Sequence, residues 1–419
     1  MSCVTCELKF WVAAIVLAIA LIAGLVPADA KGFRERILHS FCSEQNCTDG
    51  RLAASGLIMD GAGNLYGTTE VGGEHSGGAV FKLAPDGTET VLYSFCSRDN
   101  CADGSHPVYG LIADGAGNFY GTTSYGGKRS KNWKGGAGTV FKLAPDGTET
   151  VLYAFCPSPF TCIDGAYPSS GVIMDGAGNL YGTVGGGLYG GAIFKLATDG
   201  TEHVLYSFCS QLKCADGAGP KGGLIFDGAG NLYGTTLWGG NTHCYNHQGC
   251  GTVFRLAPDG TETVLYAFCR KYRAGCPDGA NPLTGMTADN AGNLYGTTAN
   301  DNVFKLAPDD TLTVLHSFCL TDCKDGTNPQ GGLIVDSTGN LYGTTYVAGA
   351  HGGGTVFKLA PDRKLTVLHS FTNCTESACP DGESPAAPLV MDSSGSIYGT
   401  TTSGGIDGGG VLFKLVPRQ

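Results

Sequence analysis

Cysteine, histidine and aspartate recur in this chain at spacings that could support chemistry. Fourteen of its 18 cysteines fall into seven short pairs: Cys42 with Cys47, Cys96 with Cys101, Cys156 with Cys162, Cys209 with Cys214, Cys269 with Cys276, Cys319 with Cys323, and Cys374 with Cys379. Closely spaced thiols serve either as metal ligands or as disulfides. Zinc takes four ligands and each pair offers two, so seven disulfides are expected, each contributing roughly 2 kcal/mol by closing a small loop. A further run, His243-Cys244-Tyr245-Asn246-His247-Gln248-Gly249-Cys250, has zinc-type ligands, but a local disulfide of Cys244 with Cys250 is the simpler expectation.

Each cysteine pair leads into Cys-x-Asp-Gly, which gives seven repeated carboxylates: Asp49, Asp103, Asp164, Asp216, Asp278, Asp325 and Asp381. They read either as an anionic rim that collects cations or a basic ligand, or as seven copies of an Asp-Gly turn, and a repeat copies its turns. Two long insertions carry side chains of another kind. Segment 124–138 holds Tyr125, Lys128, Arg129, Lys131, Trp133 and Lys134, and segment 237–251 holds Trp238, His243, Tyr245 and His247. Loop aromatics such as Tyr125, Trp133, Trp238 and Tyr245 are candidate platforms for stacking on sugar rings, and otherwise simply pack.

What must position these residues is a repeat. The tyrosine of Asn-Leu-Tyr-Gly-Thr recurs at Tyr66, Tyr120, Tyr181, Tyr233, Tyr295, Tyr342 and Tyr398, at intervals of 47 to 62 residues. Each unit carries four short runs rich in β-branched and aromatic residues, separated by Gly, Asp and Asn turns. In the first unit these are 56–59, 64–69, 79–83 and 90–95. Four strands every fifty or so residues describe a propeller blade. The seventh unit ends after its third strand, 411–415, while an unattached fourth strand, 37–41, stands at the beginning. Laid beside 411–415, it completes the last blade. The expected fold is therefore an all-β, seven-bladed β-propeller of antiparallel four-stranded blades, closed by its N-terminal strand.

Antiparallel strands put successive loops on alternate faces of the disc. The first–second and third–fourth turns share one face and hardly vary, as Asp-Gly-Ala-Gly-Asn and Ala-Pro-Asp-Gly-Thr-Glu. The second–third loops and the cysteine loops share the other face and vary in length and content. The variable face reads as the binding face and the uniform one as scaffold. Repeated Tyr66, Phe81 and their equivalents are expected in the core, with Lys82 snorkelling or paired to turn carboxylates. A propeller hydrolase or lactonase needs a few unmatched acidic or amide residues to hold a divalent metal. The innermost strands differ at Ser55, Ser170, Lys221, Thr284 and Gln330 without an Asp, Glu or His, and no nucleophile elbow, Walker loop or His-Glu-x-x-His pattern occurs. No catalytic residue, metal or cofactor is expected.

The recurring words Gly-Leu-Ile-x-Asp, Gly-Asn-Leu-Tyr-Gly-Thr-Thr and Gly-Thr-Val-Phe-Lys-Leu resemble the GloVer tandem-repeat family over essentially all of 37–419. Departures are modest: Ser396-Ile397 in the last copy, Arg255 for Lys in the fourth, and Met286-Thr287 and Asp301-Asn302 in the fifth. The resemblance implies a propeller more distantly similar to NHL and gluconolactonase-like propellers, and it implies a fold, not a chemistry.

Residues 1–30 stand apart. Sixteen apolar or small residues, Trp11–Val26, precede Pro27 and a small-x-small site at Ala28-Asp29-Ala30, the pattern of a cleaved secretory signal; a retained N-terminal anchor is the alternative. The mature part, 31–419, is expected to be one propeller without a membrane span. The chain carries a net charge of −11, of which residues 1–30 hold −1, leaving −10 and arguing against nucleic acid or an anionic bilayer as partner. A charged fraction of 15%, 42% hydrophobic residues and 68 glycines describe a turn-rich folded chain rather than a disordered one. The expectation is a secreted monomer, extracellular or periplasmic, that binds a polysaccharide or protein through its variable face. A carbohydrate- or lactone-acting enzyme with a loop-built site and a purely structural cell-surface repeat are the alternatives.

Overall fold

The computed structural model describes residues 32–128, 134–157, 162–186, 190–240, 248–271, 275–374 and 379–418. They form seven antiparallel sheets, each one blade. The first blade runs outward through Ile58–Met59, Leu65–Thr69, Ala79–Leu83 and Glu89–Ser94. The innermost strand keeps only two ladder residues, fewer than the sequence suggests. In the third and fourth blades it is extended by Ala166–Pro168 and Ala218–Pro220, which pair with the far ends of the second strands. Among the described residues no helix is long and apolar enough to cross a membrane.

The N-terminal strand closes the ring as the repeat offset requires, with different limits. It spans Phe33–Ser40 and pairs antiparallel with Val411–Pro417, from Phe33 opposite Pro417 to Ser40 opposite Val411. It thus starts four residues earlier than the apolar run Ile37–Phe41 indicates: Arg34 stays exposed, and Glu35 is held by His369 at 3.2 Å.

Both faces of the inner strands are buried, so the strict alternation of a one-sided sheet is absent; Ala79–Leu83 is buried at four of its five positions. The core divides into seven clusters; one, for example, joins Val80 and Phe95 of the first blade to Leu111, Phe119 and Phe141 of the second. In every blade the outermost strand carries one extra residue against the third, a β-bulge at Leu92 and its counterparts, Leu38 included. Bulges sharpen the local twist, which turns each outer strand towards the neighbouring blade.

All seven expected cysteine pairs are disulfides. Cys42 is bonded to Cys47, Cys96 to Cys101, Cys156 to Cys162, and Cys209 to Cys214. Cys269 is bonded to Cys276, Cys319 to Cys323, and Cys374 to Cys379. What the spacing did not indicate is the backbone at these positions. Cys47, Cys101, Cys214, Cys276 and Cys323 lie in the left-handed region at φ 52–56°. Cys250 is also disulfide-bonded, while Cys244 lies outside the described residues.

Candidate functional site

The uniform face uses its polar groups on itself. Asp114 accepts backbone N–H bonds from Ala116 and Asn118 on one oxygen, and the Asn118 amide and Tyr120 hydroxyl on the other. The Asn118 side-chain bond foremost holds this carboxyl down to about 2. The same four bonds recur at Asp60, Asp175, Asp227 and Asp289. The repeated lysines lie along the tyrosine rings, as with Lys414 4.8 Å from the Tyr398 centroid. Grooves of about 510 and 830 Å³ open between blades one and two and between seven and one. They are lined by these same repeated residues, so they belong to the scaffold rather than to an asymmetric site.

The seven cysteine-loop carboxylates turn inward. Asp49, Asp103, Asp164 and Asp216 are buried, with Asp103 and Asp216 fully so. Each of the seven accepts a backbone N–H from the start of its own loop: Ser43, Ser97, Cys156, Ser210, Arg270, Cys319 and Thr372. Tyr93, Tyr153, Tyr206 and Tyr266 donate their hydroxyls to Asp103, Asp164, Asp216 and Asp278 at 2.9–3.0 Å, and His316 reaches Asp325 at 2.9 Å. An open rim of free carboxylates is therefore not what these residues make. A short loop closed by a disulfide leaves several N–H groups unpaired, and the Asp satisfies them.

The second cysteine of each pair closes the same turn through its carbonyl. Cys47, Cys101, Cys162, Cys214, Cys276, Cys323 and Cys379 accept the N–H of the glycine that follows each aspartate, Gly50 and its counterparts. These cysteines thus hold loops and offer no thiol for chemistry. Five of the carbonyls also tie the two kinds of loop into one face. Gly73, Gly127, Gly240, Gly349 and Gly405 of the second–third loops donate N–H to Cys47, Cys101, Cys214, Cys323 and Cys379.

Where each blade's chain turns from this face into its innermost segment stands a residue in the left-handed region: Leu52, His106, Tyr167, Asn281, Asn328 and Ser384 at φ 56–60°, with Gly219 completing the set at φ 64°. Five of the six non-glycine residues precede a proline, where an extended backbone is the ordinary expectation, so sequence reasoning passed over them. Left-handed backbone costs about 1–2 kcal/mol for such residues. Each is clamped between blades: the His106 N–H donates to Gly77 O of the preceding blade, and its own carbonyl accepts from Ser124 N.

The side chains on this ring vary around the disc, with asparagine shared only by blades five and six, unlike those of the turn face. The His106 ring packs edge-on against Tyr125 at 5.2 Å, and Tyr125 against Tyr167 of the next blade at 5.4 Å. Tyr125 is 45% exposed. Trp238, at the Tyr125 position two blades on, lies beside Gly219, where an added Cβ would meet its ring at 3.3 Å. Blades five to seven carry Asn281, Asn328 and Ser384 instead, of which Asn281 and Ser384 are buried and the Asn281 amide donates to Leu237 O. The aromatic side chains of the mouth therefore gather in one sector. Tyr109, in the second blade's innermost segment, sits close enough to Glu70 to feel its charge; burial first, then that charge, pushes its hydroxyl up to about 12.

Of the candidates from sequence, Tyr125 and Trp238 fall on this mouth. Trp133, His243, Tyr245 and His247 lie outside the described residues, as do Arg129 and Lys131. Cys250, Cys269 and Cys276 bring their sulfurs within 4.8 Å of one another, but all three are oxidised in disulfides and so lack the thiolates that a metal takes.

A ring of seven repeat-built blades, closed by its own N-terminus, defines this protein as a β-propeller of the tandem-repeat kind. The Gloeobacter/Verrucomicrobia repeat matches it over residues 26–188, 99–304 and 245–419, and the chain belongs to that family. Among solved structures it is similar to virginiamycin B lyase from Staphylococcus aureus, with a TM-score of 0.56 at 12% identity, covering 92% of this chain and 99% of that one. It is also similar to an extracellular domain from B. thetaiotaomicron assigned to a hybrid two-component system, with a TM-score of 0.54 at 14% identity, over 90% of this chain and 41% of the other. A second such domain, assigned to a one-component system of the same organism, aligns with a TM-score of 0.52 at 11% identity, over 91% of this chain and 40% of that one. At these identities the likeness is one of fold. No curated protein matches the sequence.

Proposed function

We propose that this chain is an exported binding propeller that takes its ligand, a polysaccharide, at the mouth of the loop face. The observation that supports this most is the aromatic sector His106, Tyr125 and Tyr167, in which His106 and Tyr167 sit on left-handed backbone at positions where the other blades carry leucine, glycine, asparagine or serine. Backbone strain kept at a site of side-chain variety is the mark of a functional position. Aromatic faces stack on sugar rings. Seven disulfides fit an oxidising compartment, and two of the similar solved structures are extracellular domains. Export with cleavage after Ala30 and a monomeric mature chain complete the reading.

The test is a glycan array and calorimetry on residues 31–419. A polysaccharide ligand is expected to lose at least about tenfold in affinity on Tyr125→Ala or Tyr167→Ala, as for central aromatic contacts elsewhere. Equal affinity in both variants would remove the mouth from the reading, and binding of cationic peptides alone would replace the polysaccharide. Release of a chemically altered glycan would favour the enzyme alternative.

A further inference from the structure

The aromatic sector of the mouth coincides with its positive charge. Between residues 97 and 251 the loop face carries Lys128, Lys134, Lys213 and Lys221, all exposed, and the sequence adds Arg129 and Lys131, which lie outside the described residues. The cysteine-loop aspartates of this stretch, Asp103, Asp164 and Asp216, are buried and bonded within their own loops, which leaves Asp99 exposed. Arg98 is paired with Glu149 at 2.8 Å. No carboxylate among the described residues pairs with Lys128, Lys134, Lys213 or Lys221. Around blades seven and one the balance reverses, where Glu70, Glu74, Glu383 and Asp407 stand in the loops against Arg51. An acidic chain thus keeps a cationic half on its mouth, and that half is the aromatic one.

Two of these cations stand at the neck of the insertion that follows Tyr125. Gly126 N–H donates to Gly135 O at 2.9 Å and Gly138 N–H to Gly126 O at 3.1 Å, so Lys128 and Lys134 flank the neck beside that tyrosine. Lys221 stands at the mouth itself, in the innermost segment of blade four, between Ala218–Pro220 and Ile225–Phe226. The other blades carry Ala54, Val108, Ser169, Leu283, Gln330 and Ala386 at this position, so Lys221 is the one charge of that ring. A side chain on an innermost segment is exposed only towards the channel or its mouth. Just below Lys221 these segments close on each other: a Cβ on Gly222 would run into Thr284 O, and one on Gly171 would lie 2.8 Å from Gly110 O. The ammonium is thereby kept at the mouth. Ser169 Oγ donates to Pro220 O at 2.5 Å, which ties the segment of Tyr167 to that of Lys221, and Ala218 pairs with Trp238 on the other side. Lys221 thus stands where the segments carrying Tyr167 and Trp238 meet.

An aromatic side chain takes the apolar face of a sugar ring and leaves the substituents at the ring's edge for polar groups. A uronic acid carries a carboxylate at that edge, and hydrogen bonds between two charged groups are the strong ones. We propose that the polysaccharide taken at this mouth is acidic, a polyuronate whose carboxylate is met by Lys221 while its rings lie on Tyr125 and Tyr167. This ligand class rests on the mouth being the polysaccharide site. Lys128 and Lys134, further out, draw the polymer towards the aromatic sector. Exposed charges of this kind act on the rate of encounter, and salt screens them. The negative charge of the whole chain does not oppose such a ligand, because the exposed carboxylates Glu74 and Asp407 belong to the other half of the face.

The experiment is calorimetry on residues 31–419 with polygalacturonate, alginate and a glucuronate-bearing xylan, each beside its carboxyl-reduced form, and with dextran sulfate. At least one polyuronate should bind about tenfold or more tightly than its reduced form, and the difference should shrink in high salt. Lys221→Gln should remove most of that preference and Lys221→Arg should keep it; both change an exposed side chain, so the fold is not at issue. Lys128→Gln with Lys134→Gln should slow association at low salt by about threefold. Reduced polymers bound as tightly as their parents, through Tyr125 but without regard to Lys221→Gln, would overturn the acidic ligand and leave the polysaccharide site standing. Failure of every polymer, charged or neutral, would remove both. Dextran sulfate bound more tightly than each polyuronate would overturn the carboxylate as the group that Lys221 meets.

Discussion

Deleting residues 32–41 is expected to abolish the folded ring, with loss of any cooperative unfolding transition and aggregation on expression. The last blade would keep only three strands, and Val411–Pro417 would present an unpaired edge along the length that Phe33–Ser40 now covers. Phe41, fully buried, would leave a hole at the junction with the first blade. Removing residues 1–31 alone should leave the transition intact. Rescue tests the argument in a way that simple loss does not. Val416-Pro417 stands where Ala84-Pro85 stands in the first blade, and Glu35 where Glu89 stands; the Arg418 N–H already donates to Gly32 O. A permuted chain that starts at Cys42 and joins Pro417 to Arg34 through Asp-Gly would give the seventh blade the ordinary third–fourth turn. It should refold with a single transition at a Tm close to that of the original, measured by calorimetry. Failure of the permutant would show that the N-terminal strand does more than complete the last sheet.

Most of this architecture is legible in the sequence because the repeat writes it seven times. Three short words mark the strands, and the missing fourth strand of the last unit points to Ile37–Phe41 as its replacement. The limits of that strand were not legible: Arg34 and Glu35 break the apolar run, yet they pair because the outer strand lies at the rim. The bulge at Leu92 leaves no mark either, since one extra residue in an apolar run looks like any other. The pairing of Cys47 with Cys42, and of its counterparts, was plain from spacing. The cysteine-loop aspartates were visible as a pattern, but their direction was not, because an inward carboxylate depends on N–H groups that the disulfide loop orphans. The left-handed ring at the mouth ran against the usual backbone preference before proline.

The contacts between blades point to the second large effect. Each junction carries one pair of phenylalanines, one from the end of an outer strand and one from the third strand of the next blade, with centroids 4.9–5.2 Å apart: Phe95 on Phe141, Phe208 on Phe254, and so around to Phe41 on Phe81. All of these rings are buried, and twelve of the fourteen stand among the largest fully buried side chains. Their size is accommodated from below by the glycine of Tyr-Gly-Thr; a Cβ on Gly234 would meet the Phe254 ring at 2.5 Å. Phe254→Ala is therefore expected to destabilise the protein by about 3–5 kcal/mol, the range for a buried ring lost to a cavity. Phe208→Ala should cost a similar amount. Because the two rings touch at an interplanar angle of 59°, the double variant should cost less than both together by about 0.5–1.5 kcal/mol, the coupling of an aromatic pair. Urea unfolding of the four proteins measures this, with the m-value checking that each still unfolds in one step. A coupling near zero would mean that the junctions are held by general burial. A pairing energy of the expected size, repeated at seven junctions, would explain how blades joined by so few interblade ladders hold as one ring.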